Sequence, residues 1–164
     1  AEAEKAVQAR IDHLMGIKGK KSVDSIHKEL GHIMWEYVGM GRTEEGLKTA
    51  LKLLKDIRKE FETNLFIPGS TEGVNIELEK ALRLNDFITM GELIAYDALN
   101  RNDSCGGHFR EEYQTEEGEA KRDDENYFYV SCWEYQGSDD VAPVLYKEPL
   151  VYEAIKVQTR NYKS

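Results

Sequence analysis

Cysteine is scarce in this chain: Cys105 and Cys132 are the only two, and the sequence shows no secretory signal. A disulfide framework is therefore not what organises the fold, and a reducing, cytosol-facing location is the expectation. Long apolar runs are missing too. No stretch approaches the ~20 residues that a membrane-crossing helix requires, so direct membrane insertion is not expected. Basic charge is the third shortage. Lys and Arg number 22 against 31 Asp and Glu, for a formal net charge of −9. Residues 111–126 alone hold eight acids, with Lys121 and Arg122 as their only bases. The acidity is thus concentrated in one segment, and it argues against a surface for nucleic-acid phosphates. There is no internal repeat and no low-complexity tract.

What is present suits a folded domain: 40% hydrophobic and 32% charged residues form an ordinary globular balance. Ala3, Val7, Ile11 and Leu14 mark one face of a first helix, and the chain is expected to open in mid-structure. Ser22 is placed to cap a second helix with Val23, Ile26, Leu30, Ile33, Met34 and Tyr37 on its apolar face, ended by Gly39 and Gly41. Thr43 caps a third, with Glu44 and Glu45 at its positive end and a stripe of Leu47, Leu51, Leu54, Ile57 and Phe61. These two predict an antiparallel hairpin. After FIPGSTEG, a long helix spans about 75–100. Its apolar positions, Leu78, Ala81, Leu82, Leu84, Phe87, Ile88, Leu93, Ile94, Ala95, Ala98 and Leu99, spread beyond a single stripe and predict cover on two sides, one by the other helices and the second by the C-terminal segment or a partner domain. Beyond residue 101 the chain turns polar and glycine-rich. The runs YFYVSCWEY, PVLYKE and LVYEAIKV then predict a small antiparallel sheet. Tyr127, Phe128, Tyr129, Trp133, Tyr135, Tyr146 and Tyr152 are expected to form a core there, or an interface if they face outward.

Chemistry-bearing patterns are few. Glu29-x-x-His32 places a carboxylate and an imidazole on one helical face, as di-iron bundles need, but no second such pair exists. A solvated or interface histidine is the simpler reading. His27 and His32 are five apart, and a zinc-protease pair must be four apart. Cys105-Gly-Gly-His108 with Cys132 supplies at most three zinc ligands. Neither GMGRTEEG nor CGGHFREE follows a strand signal, as a dinucleotide loop should. The acidic run lacks a buried setting that would shift a carboxyl pKa. No catalytic, cofactor-binding or metal residue is predicted.

Longer motifs carry a resemblance. HKELGHIMWEYVGMGRTEEGLKTAL (27–51), RNDSCGGHFREEY with RDDENYFYV (101–130) and the terminal VQTRNYK resemble the C-terminal region of succinate dehydrogenase and fumarate reductase flavoprotein subunits. The resemblance implies a parent enzyme that holds FAD, interconverts succinate and fumarate by hydride exchange with the flavin, and passes electrons to an iron–sulfur subunit. It places the parent complex at the cytoplasmic face of the inner membrane. The flavin-linking, proton-shuttling and substrate residues of such enzymes lie outside this region, so the fragment alone is expected to be inactive. Where the family often reads S-R-G-x-H, this chain has Ser104-Cys105-Gly106-Gly107-His108. That form resembles the branch with a single cytochrome b anchor. L-aspartate oxidase shares the architecture.

The expected fold is mainly α: an antiparallel three- to four-helix bundle, spectrin-repeat-like, over 1–101. A loop-rich segment with a small antiparallel β element (102–164) is expected to pack on the same domain. The expected role is to brace an FAD domain, with His108 and Arg110 as candidate interdomain contacts. The alternative is a free-standing helical protein-interaction module.

Overall fold

A computed structural model describes residues 2–138 and 141–158. Two compact units meet at the Asn100–Arg101 junction. The first unit holds the helices α1 (Glu2–Gly16), α2 (Val23–Val38), α3 (Glu44–Asn64) and α4 (Ile76–Asn100), with short strands β1 (Lys21–Ser22), β2 (Gly41–Arg42) and β3 (Leu65–Phe66). Helix starts follow the capping residues. Ser22 accepts the Ser25 amide at 3.2 Å, Thr43 accepts that of Gly46 at 3.0 Å, and Asn75 accepts that of Leu78 at 3.0 Å, each satisfying a donor that the first turn leaves open.

The core is Val23, Ile26, Leu30 and Ile33 of α2, Leu47, Ala50, Leu54, Ile57 and Phe61 of α3, and Leu78, Ala81, Leu84, Ile88, Ala95 and Ala98 of α4. Met34, Tyr37 and Leu51, expected on the apolar faces, pack at the edge of that core. Helices α2, α3 and α4 converge on Gly91. A methyl group there would lie 3.2 Å from Met34 Sδ, 3.6 Å from Leu30 and 3.7 Å from Leu54, so a small residue lets α4 sit close to both neighbours. Contacts run in register along α2 and α4: Asp24 with Lys80, His27 with Phe87, then Leu30 and Met34 at Gly91. These two helices are therefore parallel, and α3 runs antiparallel between them.

Helix α1 departs from expectation, because Ala3 and Val7 lie exposed and only Leu14 is buried. Ile11 and Met15 pack against the core beside it, and polar ties add to this: Arg10 donates to Leu82 O and Asp86, each at 3.1 Å, and His13 meets Glu62 at 2.8 Å. The turn after α1 docks on the end of α3. The amides of Gly19 and Lys20 donate to Leu65 O at 3.0 Å and Asn64 O at 2.9 Å, and β1 pairs with β3 in parallel. Helix α4 buries Leu78, Ala81, Leu84, Ile88, Gly91, Ala95 and Ala98 on one side, and Phe87, Met90 and Ile94 stand exposed.

The second unit is loop, β4 (Phe109–Arg110), the single-turn α5 (Asp124–Tyr127) and a hairpin of β5 (Tyr129–Glu134) and β6 (Val144–Pro149). The hairpin is antiparallel, with Tyr129 opposite Pro149 and Glu134 opposite Val144. LVYEAIKV forms no strand through residue 158; residues 159–164, most of the terminal VQTRNYK, lie outside the described ones, as do residues 139 and 140 of the GSDD turn. The late aromatics do not make a core. Tyr135, Tyr146 and Tyr152 are exposed, and every buried hydrophobic residue among the described ones belongs to the helical unit. A two-stranded ribbon has too little area for a core of its own. The buried residues of this unit are polar: Asp103, Ser104 and Arg110.

Candidate functional site

The loop after α4 is built around those three side chains. Cys105, Gly106, Gly107 and His108 form a tight turn, closed by the Cys105 amide on His108 O at 2.8 Å and the His108 amide on Cys105 O at 3.1 Å. Gly106 takes φ +60°, a conformation glycine adopts without strain. The CGGH segment that suggested zinc is thus a hairpin turn. It returns the chain so that His108 Nε2 lies 3.1 Å from Arg101 O and Arg110 reaches Ser104. The Arg110 amide donates to Ser104 Oγ at 2.9 Å, and that hydroxyl donates to Arg110 O at 3.2 Å.

Two guanidinium groups organise the rest. Arg110, fully buried, donates from Nε to Glu112 at 3.0 Å and stands 5.5 Å over the Tyr113 ring. Arg101 donates to Asp103 at 2.9 Å and to Tyr127 O at 2.7 Å, and lies over the Tyr127 and Tyr129 rings. A planar cation with five donors suits this work of joining carboxylate, carbonyl and aromatic faces. Asp123 caps α5 through the Asn126 amide at 3.1 Å. Arg122 pairs with Asp124 at 2.5 Å, and that hydrogen bond pushes the guanidinium pKa further up. The acidic run is a second folded turn: the Thr115 amide meets Glu119 O at 2.8 Å, the Lys121 amide meets Tyr113 O at 3.1 Å, and Gly118 takes φ +82°.

This arrangement holds shape. Among the described residues no buried side-chain nitrogen or oxygen lacks a hydrogen-bond partner, and no group of three His, Cys, Asp or Glu side chains is assembled for a metal. Glu29 takes Lys21 at 2.8 Å and Ser25 at 3.4 Å, while His32 lies on the rim of an open groove between α2 and α3. An FAD pyrophosphate needs a strand leading into a glycine turn and a helix N-terminus. The described strands longer than two residues are β5 and β6, and neither leads into a helix. The sequence singled out His108 and Arg110 but not Arg101, Asp103 and Ser104. Their signal was the RNDS segment, where two charges and a hydroxyl directly follow an amphipathic helix.

The chain matches the family described as fumarate reductase flavoprotein C-term over residues 27–162. It is 30% identical over 112 residues to an FAD-dependent oxidoreductase of Methanocaldococcus jannaschii, covering 68% of this chain and 20% of that protein. It is 30% identical over 121 residues to the fumarate reductase flavoprotein subunit of a Serratia species, covering 74% and 19%. A solved quinol–fumarate reductase with menaquinol molecules superposes with a TM-score of 0.77 at 25% identity, over 94% of this chain and 26% of that one. The chain spans about a fifth or less of the length of the curated relatives it matches. It belongs to the fumarate reductase flavoprotein C-terminal family.

Proposed function

We propose that this chain is the C-terminal structural domain of a fumarate reductase or succinate dehydrogenase flavoprotein subunit, and that it braces the FAD domain of an enzyme interconverting succinate and fumarate. The observation that carries the reading is the family match across residues 27–162, in a chain that covers only 20% of an FAD-dependent relative. Two features support a bracing role over a reactive one. The buried polar groups of the loop are spent on each other, and neither of the longer described strands leads into a helix N-terminus.

In this reading FAD, bound elsewhere in the parent, supplies hydride exchange, and an iron–sulfur subunit takes the electrons. In the same reading the parent complex sits at the cytoplasmic face of the inner membrane; none of the described helices is long and apolar enough to cross a membrane. His108 and Arg110 serve the interdomain contact by fixing the loop that makes it.

The test compares this chain with the full-length flavoprotein that contains it. The full-length protein is expected to hold FAD and to reduce a dye with succinate, whereas this chain mixed with FAD shows neither a bound-flavin spectrum nor dye reduction. A bound-flavin signal from this chain alone would place chemistry within it and sink the reading. Loss of succinate and fumarate turnover from a flavin-loaded full-length protein would do the same for the substrate assignment.

A further inference from the structure

The helical unit leaves one apolar surface open. His27 stacks on Phe87 with ring centroids 5.5 Å apart and Leu30 and Met34 meet Gly91, and in that parallel register Gly31 and Trp35 follow His27 along α2 as Met90 and Ile94 follow Phe87 along α4. On α2 these positions recur every four residues, and on α4 at intervals of three and four, so each set lines one face of its helix. The face is exposed: Trp35 is 83% accessible, Met90 52%, Phe87 45% and Ile94 42%. Gly31 lies in its middle, and a methyl group built there meets nothing within 4 Å. The result is an apolar trough between two helices, with a bare stretch of backbone as its floor. At one end Asp24 pairs with Lys80 at 3.1 Å, next to the His27 ring stacked on Phe87.

Scattered exposed apolar residues need no explanation, but a contiguous patch does. Four large side chains along one trough expose on the order of a few hundred Å². Counting both faces, an occupant of equal size would bury roughly 1,000 Å², which lies within the ~600–1,500 Å² of contacts between domains of one chain. It falls well short of the ~2,000 Å² or more of an obligate homodimer. The matched family embeds this module in chains about four times its length. We infer that the trough formed by Gly31, Trp35, Phe87, Met90 and Ile94 is the seat of an apolar segment from the FAD-bearing part of the parent flavoprotein. This rests on the reading of the chain as one domain of that subunit.

Trp35 and Met90 carry side chains that react readily with hydroxyl radicals, which makes their cover measurable. The experiment footprints the full-length flavoprotein, as its FAD-loaded holoprotein, and this 164-residue chain across a hundredfold range of concentration. Oxidation of Trp35 and Met90 is expected to fall at least fivefold in the holoprotein relative to the dilute chain. Equal oxidation in a holoprotein that retains FAD would overturn the trough as a seat while leaving the family reading intact. Protection growing with concentration of the chain alone would overturn it in favour of a second copy. A full-length protein that holds no flavin would fail the parent reading itself. As a second arm, Met90→Glu in the full-length protein is expected to restore Trp35 oxidation to at least half the level of the isolated chain. Trp35 staying protected in that variant would count against a shared trough.

Discussion

The Ser104 hydroxyl clips both backbone groups of Arg110, receiving its amide at 2.9 Å and donating to its carbonyl at 3.2 Å. Both residues are fully buried, so the clip satisfies the Arg110 amide away from water, while the Arg110 carbonyl also accepts from the Tyr113 amide at 2.8 Å. Ser104→Ala strands a buried N–H and is expected to cost about 1–3 kcal/mol. The measurement is amide hydrogen exchange at Arg110, which should accelerate by a factor of ten or more. Ser104→Thr keeps the hydroxyl and separates loss of the clip from loss of volume. Unchanged exchange in the alanine variant would show that the turn is held by other bonds.

Two glycines in the helical unit should respond in opposite directions. At Gly19 a methyl group would lie 1.9 Å from the Asn64 carbonyl carbon, so Gly19→Ala must push the α1 turn away from the end of α3. Its cost is expected at the upper end of about 1–3 kcal/mol. Gly31 lies inside α2 with open space around it, and Gly31→Ala should raise stability by about 0.5–1 kcal/mol through helix propensity. Denaturant midpoints of the two variants check both signs at once.

The helices were legible because their information is local. Ser22 and Thr43 cap where a hydroxyl followed by an apolar period says they should, and the stripes of α2 and α3 face the core. Helix α4 was legible in part. Leu78, Ala81, Leu84, Ile88, Ala95 and Ala98 read as apolar and are buried, whereas Gly91, whose value is close approach, carries no hydropathy signal, and Phe87 and Ile94 face outward. The loop was least legible. Arg110 and Asp103 are charged residues that a pattern reading leaves in solvent, and only the CGGH turn and the Ser104 clip bring them inside. The late aromatics misled for a related reason: β-branched and aromatic residues specify a strand, but not what covers it.

Lys21 sits between two carboxylates from different helices, 2.8 Å from Glu29 and 3.3 Å from Glu60. The Glu29 hydrogen bond, with that of Glu60, holds the ammonium above its ordinary range near 10.5 against partial desolvation. The Glu60 carboxyl is held below its ordinary range near 4.5 by the Asn64 amide and by Lys21. A raised lysine stabilises fully below its unfolded pKa and loses that contribution as pH climbs past the folded one. A lowered carboxyl stabilises above its unfolded pKa and loses it as pH falls through the folded one. The difference in urea midpoint between the native chain and Lys21→Met should therefore be greatest between about pH 5 and 10 and shrink toward both ends. A difference flat across pH would assign the effect to the lysine stem packing on α2.

Among the ion pairs described between helices, that of Arg58 and Glu92 across α3 and α4 is the least exposed. Arg58 donates from Nε at 3.1 Å and from Nη2 at 2.6 Å to the two oxygens of Glu92, and from Nη2 to Thr89 at 3.1 Å. The two side chains are 17% and 21% exposed. This lies between a surface pair, worth about 0–1 kcal/mol, and a buried one, whose disruption costs about 3–5 kcal/mol. Arg58→Met should therefore cost about 1–3 kcal/mol, most of it from leaving Glu92 half-buried without its fork. Arg58→Lys keeps the charge but not the two parallel bonds, and should recover less than half of the loss. Adding Glu92→Gln to Arg58→Met removes the stranded charge, so the double variant should be more stable than the sum of the two single losses implies. A double-mutant cycle by urea denaturation measures this coupling. Strict additivity would mean that the α3–α4 seam is held by Leu54 and Ile57 packing alone.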